Sequence, residues 1–211
     1  RRCAAQQEWT HAMTDLEPIQ AFYGPSSPWA YLGAERLYAL ADRHACPLIL
    51  RPIRVIQENG GVPLRTRPQP RQDYHALELA RWSHHLGIPL NLKPKYYPCR
   101  TIETAAGAII AIQRAGLDAA TFSFAIQRAL WAQDRDIADV DTLRELAKEN
   151  IGEASAQLVQ EPLAQDIRAN WERNLEEAQR IGIFGTPTYL YKGDLYWGQD
   201  RLEFALNEAK K

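Results

Sequence analysis

Residues 19–30 read Ile19-Gln20-Ala21-Phe22-Tyr23-Gly24-Pro25-Ser26-Ser27-Pro28-Trp29-Ala30. Five mostly apolar residues run into a Gly-Pro-Ser-Ser turn, the pattern of a short buried strand stopped by turn formers. Pro28 suits the first position of a helix, where its missing N–H would have no partner anyway. Ser27 stands before it, where an N-cap side chain accepts a backbone N–H. The helix so started extends to about His44, with Ala30, Leu37, Leu40 and Ala41 on its apolar stripe. Leu48–Pro52 reads as a second strand. Strand, helix, strand in this order implies parallel pairing through a crossover.

Downstream the pattern changes. Residues 55–70 (VIQENGGVPLRTRPQP) form a long loop rich in Gly, Pro and Arg, and loops of that length either carry function or are disordered. Residues 71–181 are helical almost throughout. One helix closes at Gly87. A second carries Ile102, Ala105 and Ile109 and stops at Gly116. A third carries Phe122, Ala125 and Leu130, a fourth starts at Asp139, and a fifth carries Ile167, Trp171, Leu175 and Ala178 up to Gly182. Strands return at Thr188–Tyr191 and Leu195–Trp197 around a Lys192-Gly193-Asp194 turn, before a last helix through Leu202 and Phe204. This order predicts an α/β fold with segregated helices. Residues 1–18 are expected to be an extension, 19–54 with 183–211 one discontinuous domain, and 55–182 a loop and helical insertion.

Composition narrows the function. The 211 residues carry a formal net charge of −1, without the basic footprint of a nucleic-acid binder. No apolar run reaches the length of a membrane span, and the N-terminal residues do not read as a secretory signal. Cys3, Cys46 and Cys99 are odd in number and widely spaced, which argues against a disulfide framework or a zinc site. The expected location is the cytoplasm, with no metal. A homodimer is the commonest oligomeric arrangement.

Three short stretches carry chemistry. Ser26-Ser27-Pro28-Trp29 sits at a strand-to-helix turn, where helix N–H groups and the dipole stabilise an anion; read alone, Ser27 is equally an N-cap. Ile183-Phe184-Gly185-Thr186-Pro187-Thr188 places a candidate cis proline between a helix and a strand, which would offer the Thr186 backbone to an extended peptide; a trans proline punctuating a loop is the alternative. In Trp197-Gly198-Gln199-Asp200-Arg201, Gln199 and Asp200 could hold the charged ends of a small ligand, or Asp200 could only cap the last helix. His84-His85 point in different directions and make a poor metal site.

Taken together, FYGPSSPWAYLGAERL, GIFGTPTYLY and LYWGQDRLEFAL resemble the glutathione-dependent 2-hydroxychromene-2-carboxylate isomerases. Those enzymes are grouped with kappa-class glutathione transferases and DsbA-like proteins. The resemblance spans residues 19–210. It implies a thioredoxin-like fold with a large all-helical insertion between the first βαβ unit and the C-terminal β-hairpin plus helix. It implies glutathione as cofactor and a small aromatic carboxylate as substrate. It makes Ser27 the catalytic residue at the glutathione sulfur. Thr186 and Pro187 would hold the cysteinyl part, and Trp197, Gly198, Gln199 and Asp200 the γ-glutamyl end. Asn59 and Gly60 would lie near substrate. Arg65, Arg67 and Arg71 are candidates, by charge, for an anionic substrate. A helix N-terminus and a hydroxyl donor favour a thiolate, and a thiolate can add to a conjugated double bond and leave again after rotation. A kappa-like transferase and a non-catalytic DsbA-like binding protein are the alternatives. A disulfide oxidoreductase would need a cysteine where Ser26 and Ser27 stand.

Overall fold

The computed structural model describes residues 17–207; most of the expected N-terminal extension, including Cys3, lies outside them. Strand β1 (Ile19–Tyr23) leads into helix α1 (Pro28–Arg43) and strand β2 (Leu48–Pro52). Helices α2 (Gln69–Leu86), α3 (Glu103–Arg114), α4 (Ala119–Ala132), α5 (Val140–Asn150) and α6 (Gln165–Arg180) follow. Strands β3 (Thr188–Tyr191) and β4 (Asp194–Trp197) and helix α7 (Leu202–Asn207) complete the order. The sheet runs β2-β1-β3-β4, with β1 parallel to β2 and antiparallel to β3.

Side-chain alternation on β1 builds two layers. Ile19, Ala21 and Tyr23 face a core shared with α1, α3, α4 and α5. Phe22 faces the other way, toward Ala178, Leu175 and Ile181 at the end of α6 and toward Ile53, Ile56 and Ile183. Helix α6, grouped with the insertion by its helical pattern, is therefore the layer that covers the second face of the sheet. The helical insertion meets the sheet at β2, an edge strand whose outer backbone groups need partners. The Gln113 amide of α3 supplies both, accepting from Leu50 N–H at 2.8 Å and donating to Leu50 C=O at 3.1 Å.

The β3–β4 turn has Lys192 at φ 50° and Gly193 at φ 83°, the two positive values that a two-residue hairpin turn requires. No helix among the described residues is long and apolar enough to cross a membrane.

Candidate functional site

The β1–α1 turn folds as its residues dictate. Ser27 N–H donates to the Gly24 carbonyl at 2.9 Å, closing the turn. Ser27 Oγ accepts from Ala30 N–H at 3.2 Å as the N-cap of α1, and Pro28 occupies the first helical position. An N-cap oxygen used as acceptor keeps its own hydrogen available, and the Ser27 hydroxyl has no acceptor among the described residues. The insertion braces this turn, because buried Trp131 of α4 donates from Nε1 to the Ser26 carbonyl at 3.3 Å.

Ser27 opens into a cavity of about 470 Å³. The Thr186–Pro187 bond is cis, and Thr186 borders the cavity. Its backbone N–H and C=O have no partner among the described residues. Trp197, Gly198, Gln199 and Asp200 form the adjoining wall. Gly198 sits at φ 102° and ψ 148°, a conformation that a side chain disfavours. Its N–H bonds the Pro187 carbonyl at 2.9 Å, tying this turn to the proline loop. Gln199 is only 2% exposed, and its Oε1 lacks a partner among the described residues. The Asp200 carboxylate accepts from the Arg201 guanidinium at 2.7 Å. Phe184 and Trp197 meet edge to face at the rim, centroids 4.8 Å apart.

Three expectations need correction. Asn59 and Gly60 do not border the cavity. The Asn59 amide instead donates to the carbonyls of Gln179 at 2.9 Å and Ile183 at 3.0 Å, closing the C-terminal end of α6, and Gly60 ends the Gln57–Asn59 3-10 turn at φ 85°. Asn59→Ala is accordingly expected to lower stability by about 1–3 kcal/mol through orphaned carbonyls, read as a lower Tm, with ligand affinity little changed. Pro187 borders a small internal space beside Tyr23 and Tyr189 rather than the cavity. Of Arg65, Arg67 and Arg71, only Arg67 reaches the cavity wall; its guanidinium is anchored on the Val62 carbonyl.

The fold brings further residues to the cavity to which the sequence motifs assign no role: Arg54, His75, Glu78, Trp82 and Tyr97, joined by Arg201 from the last motif. His75, Glu78 and Trp82 follow the i, i+3, i+7 spacing that puts side chains on one helix face, a signal present in the sequence. His84 and His85 lie elsewhere on α2, exposed. Burial, reinforced by the Arg67 charge, pushes the His75 pKa below its ordinary 6.5. On acidification the unfolded chain therefore takes up this proton first. Stability present above pH 6.5 is expected to fall as pH drops through that window, and His75→Asn to flatten the slope in denaturant titrations.

Neither described cysteine borders the cavity. Burial raises the thiol pKa of both, that of Cys99 to about 11, so both stay protonated. A model described as a DSBA-like thioredoxin domain matches residues 18–210. The chain belongs to that family. Within the DsbA-like family it is similar to proteins named 2-hydroxychromene-2-carboxylate isomerase. The Sphingobium xenophagum protein is 28% identical over 195 residues, covering 88% of this chain and 94% of its own. The Pseudomonas putida protein is 27% identical, covering 90% and 93%. A solved 2-hydroxychromene-2-carboxylate isomerase superimposes with a TM-score of 0.67 at 21% identity, over 92% of this chain and 94% of its own, and so shares the thioredoxin-like fold.

Proposed function

We propose that this DsbA-like chain is a glutathione-dependent isomerase acting on 2-hydroxychromene-2-carboxylate or a close relative of it. The observation that carries the reading is the Ser27 hydroxyl. It lies at a helix N-terminus, on a cavity bordered by no cysteine among the described residues, with its hydrogen uncommitted. Such a site is suited to a thiol brought from outside.

The donor set fits glutathione. Thr186 offers an unpaired backbone N–H and C=O to a peptide-like ligand. Gln199 offers a buried amide oxygen without a partner, and Asp200 a carboxylate, to the γ-glutamyl ammonium beside Trp197 and Gly198. Bound there, glutathione supplies a thiolate that can add to, and leave, a conjugated double bond. Ser27 donates its hydrogen to the sulfur and fixes its place. Arg54, Arg67 and Arg201 ring the cavity with cations for a carboxylate. Trp29, Trp82 and Tyr97 give apolar walls for an aromatic ring. A cytoplasmic location accords with a need for reduced thiol.

Calorimetric titration of the native protein with glutathione, followed by incubation with 2-hydroxychromene-2-carboxylate, tests this. The expected result is binding, then glutathione-dependent interconversion with no net loss of free thiol. A stable conjugate with thiol consumed identifies a kappa-like transferase instead. Absence of binding at millimolar glutathione leaves a non-catalytic binding protein.

A further inference from the structure

His75 lies on α2, which packs against α1, and the proposed function does not use it. Trp29 Nε1 and His75 Nε2 are 2.9 Å apart, with the rings edge to face at 5.5 Å. An indole nitrogen carries a hydrogen and can only donate. Nε2 is therefore the acceptor, and the single proton of the neutral imidazole sits on Nδ1. That nitrogen has no partner among the described residues. Both rings border the same cavity as Ser27, and Trp29 is two residues from it.

The surroundings keep the ring neutral. A charged imidazolium would set an N–H against the Trp29 N–H and lose that bond. The charged side chains around the cavity are Arg54, Arg67, Glu78, Asp200 and Arg201. Arg67 opposes a second positive charge. Glu78, one turn along α2, is paired with Arg81. Asp200 is paired with Arg201.

We propose that His75 is a catalytic hydrogen-bond donor in this site. Trp29 holds it in the Nδ1–H tautomer, and Nδ1–H binds the keto oxygen of the ring-opened substrate. This rests on the isomerase reading. A 2-hydroxychromene-2-carboxylate is a cyclic hemiketal, and opening it frees a phenol and an α-keto acid conjugated to a carbon–carbon double bond. Rotation about that bond follows when a thiolate sulfur bonds the aryl-bearing carbon and the double-bond electron pair shifts toward the keto oxygen. When the sulfur–carbon bond breaks, the pair returns. No proton, electron or atom is gained or lost. A neutral N–H suits this role. It stabilises the oxygen while charge resides there and does not surrender its proton, so the electron pair can return.

The experiment pairs nitrogen-15 NMR of the histidine side chains with kinetics of native, His75→Ala, His75→Asn and Trp29→Phe proteins. The native spectrum should show His75 as the Nδ1–H tautomer, titrating below pH 6.5, and Trp29→Phe should mix the tautomers. His75→Ala should lower kcat by about a hundredfold with glutathione affinity within twofold of native. His75→Asn, whose amide nitrogen can take the place of Nδ1, should recover most of that loss and abolish the acid limb of the pH profile. An Nε2–H tautomer in the native protein overturns the proposal whatever the activity. Unchanged kcat in His75→Ala overturns it and leaves the isomerase reading standing. A native protein that does not convert the chromene carboxylate overturns both.

Discussion

Ser27→Ala is expected to lower kcat by one to two orders of magnitude while the protein remains folded. A hydrogen bond to a charged group contributes about 1.5–3 kcal/mol, and each 1.4 kcal/mol is a factor of ten. The substitution also removes the α1 cap, which costs about 1 kcal/mol of stability, so a lower Tm is expected alongside the kinetic loss. Ser27→Asp separates the two contributions. Aspartate caps a helix as well as serine does, so Tm should recover. Its carboxylate, however, offers no hydrogen and repels a thiolate, so turnover should stay low. Turnover that returns with Tm in Ser27→Asp would reduce Ser27 to a cap. Stopped-flow rates and thermal melts on the same preparations decide it.

Gly33→Ala is expected to destabilise the protein by about 1–3 kcal/mol and to weaken glutathione binding. In an open helix this change would be favourable by up to about 1 kcal/mol. Here α1 passes directly against the turn after β4. A Cβ on Gly33 would lie 2.7 Å from Gln199 Cβ and 3.2 Å from the Tyr189 hydroxyl. Both neighbours are almost fully buried, so neither has free space to retreat into. The least constrained response is displacement of the 198–201 turn, which carries the proposed γ-glutamyl contacts. A Tm at or above native with unchanged glutathione affinity would show that α1 and this turn are not coupled.

The strand–turn–helix at 19–43 and the hairpin at 188–197 are legible in the sequence because each is decided locally. Apolar runs, a Ser-Pro cap and a Lys-Gly turn fix them without reference to distant residues. Residues along the 24–29 and 184–201 cavity walls are legible for the same reason, since they sit at the ends of those elements. The far wall is not. His75, Glu78 and Trp82 share a helix face, but α2 has polar residues on most sides, and nothing local says which face meets Trp29. Asn59 illustrates the opposite error. The family resemblance puts it near substrate, yet its partners are carbonyls roughly 120 residues away in the chain, which no spacing rule connects to it. Helix α6 likewise has an ordinary amphipathic pattern, and only the outward-facing Phe22 of β1 shows which surface it covers.

The sheet order also bears on how the chain leaves the ribosome. Strand β1 lies in the middle of the sheet, but its antiparallel partner β3 comes roughly 130 residues after β2. At ordinary translation speeds that gap lasts on the order of 10 s. Throughout it, one backbone edge of the apolar strand β1 has no strand to pair with, while α2 to α5 are already able to form. The nascent chain is then a template for unwanted strand addition, and its demand for chaperones should end when the hairpin emerges.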